Sequence, residues 1–271
     1  MRIKQYLLVL AFTLVFVGAF SQTPAQRASL LLKEKLQSII SQHTKVGYDK
    51  IWTAFALTDM RSDGTVWEIY SNTANYACQT KGEYVSAAEG VNYNREHAVP
   101  QSWFQSAEPM YDDLFHIYPA DGNINSWRSN SPYGEVASAS KTSADGFSCY
   151  GTATTECGAP CKVFEPNDEY KGDLARTYFY MVTCYGDKVG DWSGEVFGRS
   201  VAPDTYVEYA GYPGMAEWAL KMFLRWSHDD PVSQKERDRN DAIYKLQGNR
   251  NPFIDCPGLE RYLWYDYLDK Q

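Results

Sequence analysis

The chain is poor in positive charge. Of its 271 residues, 26 are Lys or Arg and 34 are Asp or Glu, so the formal net charge is −8. Neutralisation of phosphates supplies much of the affinity of proteins for nucleic acids. The composition therefore counts against a broad basic surface. A polyanion would have to be held in a local basic cleft, or by a metal ion that supplies the missing charge.

Long apolar runs are missing beyond the N-terminus. Leu7–Val17 is apolar but too short to cross a bilayer, and Arg2 and Lys4 precede it. Ala19 and Ser21 then place small residues three positions and one position before a cut. This pattern predicts a secretory signal peptide that is cleaved before residue 22. We expect a secreted or periplasmic protein with no membrane segment. Its net charge becomes more negative once both basic residues of the signal are removed.

Repeats and low-complexity linkers are also absent. The hydrophobic fraction is 44 % and the aromatic fraction is 15 %, with 21 tyrosines, which is typical of a globular protein. We interpret residues 1–21 as the signal and residues 22–271 as a single domain. The expected fold class is α+β, a mostly helical single domain built around one short motif of strands and a helix.

Helical periodicity dominates on both sides of that motif. In Asp173–Tyr185, Leu174, Tyr178 and Met181 recur at the spacing of one helix face. Further helices are predicted over Ala25–Gln42, Tyr48–Thr58, Glu217–Ser227, Pro231–Leu246 and Leu259–Leu268. Two other segments differ in pattern. The segment Thr65–Tyr70 alternates as a strand does, and Ala137–Gly158 is predicted to be a loop because it is rich in Ser, Ala, Thr and Gly.

An even number of cysteines in an exported chain favours disulfide bonds. The sequence does not decide the pairing, since Cys157 could bond to Cys161 across a turn or pair outward to Cys149 or Cys78. A zinc site at residues 149, 157 and 161 is the alternative, but it lacks a fourth ligand at zinc-site spacing. The six cysteines are Cys78, Cys149, Cys157, Cys161, Cys184 and Cys256.

Histidine is scarce, and two of the four histidines lie in one stretch, Asn94–Asn130. Its first part, through Glu96 and His97, is predicted to be the end of a strand that stops at Pro100. A second short strand is expected over Asp113–Tyr118. Asp121 is then a suitable N-cap for a short helix over Asn123–Asn130. The predicted order is strand, loop, strand, helix.

The side chains of this stretch suit metal-assisted hydrolysis. A neutral imidazole at His97 can accept a proton from water near pH 7. Glu96 offers a carboxylate and Asn125 an amide oxygen, the oxygen ligands that Mg²⁺ prefers. Glu96 and His97 are adjacent, so in a regular strand they point to opposite faces. Both can serve one site only if the strand ends or twists beside them, as Pro100 allows.

Long, ordered motifs carry a resemblance to a known family. The chain resembles the endonuclease I family of secreted and periplasmic nucleases, within the His-Me finger (ββα-metal) group. The resemblance covers nearly all of the chain after the signal. The matching segments are Asn94–His97, Pro100–Phe104, Asp113–Leu114, Pro119, Asn125, Arg128–Asn130, Pro132–Val136, Phe164–Pro166, Lys171–Arg176, Tyr180–Met181, His228–Pro231 and Gly248–Phe253.

This resemblance implies a ββα-metal core at about residues 93–130. It implies that His97 is the general base and that Glu96 and Asn125 hold one Mg²⁺, for which Mn²⁺ or Ca²⁺ can substitute in binding. It also implies cleavage of DNA and RNA with little sequence preference and 5′-phosphate products, without a membrane or an obligate protein partner. Protonation of His97 is expected to lower activity below about pH 6.5.

The chain departs from the family at two places. Many relatives carry His where this chain has Phe115, and some place an arginine between the two strands, whereas residues 105–112 contain none. His116 is expected to orient His97 or to be structural. The candidates for contact with nucleic acid are Gln101, Arg128, Arg176 and Arg250. The alternative function is a non-catalytic protein that binds extracellular polymers through its tyrosines and retains only the fold.

Overall fold

The computed structural model of the protein describes residues 24–79, 88–154, 162–197 and 214–268. The predicted signal peptide lies outside these residues. The fold is α+β, as predicted, with several helices around two small antiparallel sheets. In this described part, no helix is both long enough and apolar enough to span a membrane.

A two-stranded hairpin followed directly by a short helix lies at the predicted motif. Strand β1, Tyr93–His97, pairs antiparallel with β2, Ile117–Asp121, and helix α3, Gly122–Arg128, continues from β2. The helix begins where it does because the Asp121 carboxylate accepts hydrogen bonds from the backbone N–H groups of residues 123 and 124, both at 2.9 Å. The predicted N-cap at Asp121 is therefore confirmed.

The second strand begins later than the sequence indicated. Residues 114–116 form a 3₁₀ turn instead of extended strand. Asp113 caps this turn, because its carboxylate accepts from the backbone N–H of Phe115 at 3.0 Å. A capped turn and a strand compete for the same backbone donor, and here the local side chain prevails.

The other helices surround a buried central one. Every residue of α4, Asp168–Cys184, from Gly172 onward is buried. Helices α1 and α5 and the short α7 pack against it. The remaining helices are α1, Pro24–Ile40; α2, Ile51–Thr58; α5, Glu217–Asp229; α6, Gln234–Gln247; α7, Pro252–Asp255; and α8, Glu260–Leu263. The predicted helices are confirmed with two exceptions. The segment predicted from Tyr48 begins as a 3₁₀ turn over Tyr48–Lys50, and the last helix ends early and continues as a 3₁₀ turn over Tyr265–Tyr267.

The segment predicted to be a loop contains most of the second sheet. Strand β3, Val136–Thr142, pairs with β4, Cys149–Ala153, and β4 pairs with β5, Lys162–Glu165. Most of β3 is exposed, so its sequence shows no alternation of apolar residues. Gly151 allows the two strands to meet, since a Cβ there would lie 2.1 Å from the Ser138 carbonyl oxygen. The prediction of a loop was wrong because an exposed strand without apolar alternation gives no strand signal in the sequence.

The strand predicted over residues 65–70 does not form. The backbone there makes only isolated bridges, Met60 with Val66 and Thr65 with Ala77. The N–H groups of residues 70 and 71 donate instead to the buried carboxylate of Glu68, at 2.8 and 2.5 Å. Those donors are therefore not available to a ladder.

No disulfide is present among the described residues. Cys78, Cys149, Cys184 and Cys256 are free thiols. Cys184 is buried on α4, and its sulfur lies 3.6 Å from the carbonyl oxygen of residue 40. Pairing among these four cysteines is thus not observed. The proposed bridge and zinc ligands at residues 157 and 161 lie outside the described residues.

Candidate active site

The side chains of β1 alternate between two faces of the hairpin. Arg95 lies over Tyr48, with its guanidinium carbon 3.5 Å from the ring centre, and Tyr93 packs on Trp52 on the same face. Asn94 and Glu96 belong to the opposite face, where α3 packs. Glu96 faces α3, whereas the adjacent His97 is the last residue of β1, and the chain bends at residues 98 and 99 directly after it. The strand thus ends beside the pair, which is the condition under which both side chains can serve one site.

Glu96 is buried and held by two donors on one oxygen. Arg128 donates from Nη1 to Oε1 at 2.5 Å, and the Tyr70 hydroxyl donates to the same oxygen at 2.7 Å. The hydroxyls of Tyr70 and Tyr133 are 2.5 Å apart. Since Tyr70 gives its proton to Glu96, Tyr133 is the donor in that second bond. Neither Arg128 nor Tyr70 bonds to Oε2.

Burial and the guanidinium act on Glu96 in opposite directions. Burial raises the pKa of Glu96 above its usual range, and Arg128 lowers it again by attraction and hydrogen bonding. Arg128 thus already supplies one positive charge that stabilises the buried, ionised form of Glu96. A divalent cation at Oε2 would stabilise that form further.

His97 is held in one tautomer. Its Nε2 lies 3.0 Å from the carbonyl oxygen of Tyr111. A carbonyl oxygen can only accept, so Nε2 carries the proton and Nδ1 keeps a lone pair. The ring stacks near Tyr48 and Tyr111, with centroid distances of 5.6 and 5.4 Å. Burial, followed by the neighbouring His116, lowers the pKa of His97 to about 3. The imidazole is therefore neutral near pH 7.

His116 packs beside His97 without a hydrogen bond to it. Their ring centroids are 5.3 Å apart, and the Nε2 of His116 lies 2.7 Å from the carbonyl oxygen of Met110. Its side chain is fully buried. This placement agrees with a structural role in which His116 fixes the loop before β2 and supports one side of the His97 ring.

Asn125 lies on α3, half-buried, three residues before Arg128. Residues three apart on a helix share a face. Arg128 reaches Glu96 from this face, so Asn125 belongs to the side of α3 that meets the hairpin. Helical spacing thus places the predicted ligand Asn125 on the side of α3 from which Arg128 reaches Glu96.

The buried side-chain amide of Asn94 is evidence on whether this region suits a cation. Asn94 is 1 % exposed, and neither Oδ1 nor Nδ2 has a partner within the described residues. A buried polar group without a partner costs about 1–3 kcal/mol. A carboxylate and amide oxygens form the donor set that hard cations such as Mg²⁺ select. The residues present therefore fit a divalent cation between β1 and α3.

Arg128, predicted to contact nucleic acid, faces inward. Besides Glu96, it donates to the carbonyl oxygens of His97 at 2.8 Å and Ala98 at 2.6 Å. It is 1 % exposed, and its guanidinium carbon lies 4.5 Å from the centre of the Tyr133 ring. We assign it the role of tying the end of α3 to the end of β1.

Two further predicted contacts have carboxylate partners of their own. Arg176 is buried in α4 and donates to both oxygens of Glu236, at 2.6 and 2.8 Å, which places it among the structural ion pairs. Arg250 donates twice to Asp255, at 2.7 Å each, and pairs with Asp241 at 2.8 Å. Gln101 lies in the 3₁₀ turn after Pro100, half-buried, where it accepts from Ser106 at 3.2 Å.

Several residues of the site were missed in the sequence. Tyr70 and Tyr111 gave no signal, because a buried tyrosine is not distinguished from any other core residue. Arg95 could have been found, since it stands inside the Asn-Arg-Glu-His motif. It is half-buried beside the ring of Tyr48, contributes to the lowered pKa of His97, and pairs with no carboxylate among the described residues.

Comparison with known proteins identifies the family of the chain. A family model described as Endonuclease I matches residues 28–258. An extracellular ribonuclease of Bacillus amyloliquefaciens is 32 % identical over 252 residues, which cover 88 % of this chain and 75 % of the relative. An extracellular ribonuclease of Bacillus subtilis (strain 168) is 32 % identical over 244 residues, covering 86 % and 74 %. A periplasmic deoxyribonuclease of Aeromonas hydrophila is 25 % identical over 259 residues, covering 92 % and 94 %. With its hairpin, helix and buried Glu-His pair in place, the chain belongs to the Endonuclease I family.

Proposed function

We propose that the protein is a secreted, Mg²⁺-dependent endonuclease that hydrolyses phosphodiester bonds of DNA and RNA with little sequence preference and leaves 5′-phosphates. Membership of the Endonuclease I family supports the nuclease activity. Relatives named as ribonucleases and as deoxyribonucleases support both substrates, and their extracellular or periplasmic location supports export. We propose no membrane partner and no obligate protein partner.

The bond from His97 to the Tyr111 carbonyl carries this proposal. It fixes the proton on Nε2 and leaves Nδ1 as the base. A neutral imidazole in this tautomer takes a proton from the attacking water while the bond from phosphorus to the leaving oxygen breaks. A water molecule protonates the leaving oxygen, and the imidazolium then returns its proton to solvent. The stacked tyrosines hold the ring in place, so the base needs no reorganisation during the reaction.

Glu96 and Asn125 would hold the cation. When bound, Mg²⁺ offsets the charge that develops on the phosphate and on the leaving oxygen. Glu96 is oriented for this task because Arg128 and Tyr70 engage Oε1 and leave Oε2 to the ion. Asn125 adds a neutral oxygen from α3, so the hairpin and the helix both contribute.

Arg95 would supply the local positive charge that an acidic chain needs. Arg128, Arg176 and Arg250 bond to carboxylates of the protein itself. Arg95 bonds to the carbonyl oxygen of Tyr48 at 2.7 Å, on the face of the hairpin that carries His97. A guanidinium there can contact a phosphate next to the one that His97 serves.

Cleavage assays test the proposal. Supercoiled plasmid and total RNA would be incubated with Mg²⁺ or with EDTA, using the mature protein, His97→Ala and the control His228→Ala. His228 is 72 % exposed and lies on α5, outside the site. We expect cutting of both substrates that requires the metal, is lost in His97→Ala and is retained in His228→Ala.

The same assay can contradict the proposal. If the folded protein cuts neither substrate with Mg²⁺, Mn²⁺ or Ca²⁺, the nuclease function is wrong. Binding of extracellular glycans without any cutting would then favour the polymer-binding alternative. Unchanged cutting by His97→Ala would leave a nuclease but remove the proposed base.

A further inference from the structure

The side chain of Asn94 has no evident role in the fold. It is 1 % exposed, lies opposite Ala120 in the hairpin, and has both amide atoms without a partner among the described residues. Nearly all interior amides in folded proteins are hydrogen-bonded to protein or to ordered water. Two unpaired atoms on one buried amide therefore indicate that something else bonds to this side chain.

The direction of the Asn94 side chain limits what that partner can be. Its neighbours on the strand, Tyr93 and Arg95, face α2 and Tyr48, so Asn94 faces α3 together with Glu96. Two strand residues on one face have Cα atoms about 7 Å apart. By alternation along β1, the Asn94 amide therefore points to the α3 side of the hairpin, on which Glu96 lies and from which α3 carries Asn125.

We propose that Asn94 is a positioning residue of the metal centre, whose Oδ1 accepts a hydrogen bond from a water molecule of the hydrated cation. This inference rests on the proposed function, because it assumes a cation at Glu96 and Asn125. Mg²⁺ keeps several of its waters when it binds to proteins. The spacing from Glu96 suits a contact through one such water. A water polarised by the cation is also a stronger donor than bulk water.

Replacement by leucine separates this role from a purely structural one. Asn94→Leu keeps a similar side-chain volume and removes both unpaired polar atoms. In the metal-free protein we expect a melting temperature equal to or above that of the wild type, because no unpaired amide remains. Metal affinity should fall about 10–100-fold, as is typical when a residue that supports metal ligands is lost. A merely structural asparagine would not give these two opposite changes.

The experiment uses the metal-free mature protein, with Mn²⁺ and Mg²⁺ as the probes. Affinity is measured by titration calorimetry, and thermal unfolding is followed with and without metal. The variants are Asn94→Leu, Asn94→Asp, Glu96→Gln and Asn130→Leu, where the exposed Asn130 beyond α3 serves as the matched control. We expect weaker binding for Asn94→Leu, equal or tighter binding for Asn94→Asp, and wild-type affinity for the control.

The outcomes distinguish this inference from the proposed function. If Glu96→Gln weakens metal binding and Asn94→Leu matches the wild type, the role of Asn94 is overturned and the proposed centre stands. If neither variant changes the affinity, both fail, because the cation then binds elsewhere. Should Asn94→Leu not fold, Asn94→Asp decides, since weaker binding by the folded aspartate variant would also overturn the role.

Discussion

At the scale of single residues, burial shifts the pKa values of His97 and Glu96 in opposite directions. The pKa of His97 lies near 3, so the imidazole remains neutral far below the pH 6.5 expected for an ordinary histidine. Glu96 is shifted in the opposite direction, because burial raises the pKa of this carboxyl. We therefore expect the proposed metal ligand Glu96, rather than the proposed base His97, to limit activity in acid.

This difference predicts how activity depends on pH. A carboxyl with a raised pKa binds its proton at higher pH, and the protonated form cannot hold a cation, so protons and Mg²⁺ compete for Glu96. We expect the midpoint of the acid limb of plasmid cleavage to move to lower pH as Mg²⁺ is raised. A midpoint that does not respond to Mg²⁺ would instead assign the acid limb to His97.

Tyr70 donates one hydrogen bond to Glu96, the proposed metal ligand. Tyr70→Phe removes the donor to Glu96 Oε1 and leaves the Tyr133 hydroxyl without its acceptor. We expect the Mg²⁺ concentration for half-maximal cleavage to rise about tenfold or more. The control is Tyr244→Phe on the exposed face of α6. An unchanged Mg²⁺ requirement in a folded Tyr70→Phe protein would show that Arg128 alone orients Glu96.

Arg95 offers a test of substrate binding. Arg95→Gln should raise KM for plasmid and reduce the salt dependence of binding by about one unit of slope, as loss of one phosphate contact does. Arg237→Gln, on the exposed side of α6, is the matched control. If KM and the salt slope remain those of the wild type, the cation–π contact with Tyr48 is the whole role of Arg95.

At the scale of elements, the hairpin and α3 act as one unit because Asp121 joins them. Its Oδ1 caps the helix, while its Oδ2 accepts from the backbone of Gly90 at 2.8 Å and from the hydroxyl of Tyr76. The cap thus fixes the direction in which α3 leaves β2. Asn125 is carried by this helix, so the cap also fixes the position of this proposed metal ligand relative to the hairpin.

Loss of a cap can be compared at two helices. Asp121→Ala should lower the free energy of unfolding by more than the about 1–2 kcal/mol of a lost cap, because Gly90 and Tyr76 also lose their acceptor. It should also weaken Mn²⁺ binding, because α3 carries Asn125. Ser233→Ala removes the capping box of α6 and should destabilise by about 1–2 kcal/mol without any effect on the metal. Chemical denaturation and calorimetric titration measure the two quantities. Equal metal affinities in both variants would contradict the link between cap and site.

At the scale of the whole molecule, buried ion pairs hold the helices together. Arg176 on α4 bonds to Glu236 on α6, and Arg239 on α6 bonds to Asp59 after α2. Arg176 is about as buried as Arg128, with both at 1 % exposure. Several of the few positive charges of the chain are therefore used for its own cohesion.

Substitution of Arg176 tests whether this arginine holds the helices together or binds the substrate. Arg176→Met leaves Glu236 buried without its partner and should destabilise the protein by about 3–5 kcal/mol. Below the melting temperature of the variant, KM for plasmid should equal that of the wild type. A raised KM in the folded variant would restore the phosphate contact that was first predicted for Arg176.

The sequence by itself determined the family, the order strand–strand–helix and the helices of the core. These features depend on residues that are close together in the sequence, namely the ordered motifs, the apolar residues that recur every three or four positions, and a capping aspartate. It also indicated the carboxylate, imidazole and amide that the chemistry needs. Where the local pattern was weak, as in the exposed β3, or was overridden by a side chain, as at Glu68 and Asp113, the predicted elements were wrong.

Only the tertiary structure decided which partner each polar group has. It directed Arg128 and Arg176 inward, brought Tyr70 to Glu96 across 26 residues, and placed the Tyr111 carbonyl against His97. It also left the Asn94 amide unpaired beside the proposed metal site. Hydrogen-bond partners, burial and the pKa shifts that follow depend on contacts between distant segments. Residue type and spacing do not encode such contacts, because each one arises only when the elements pack.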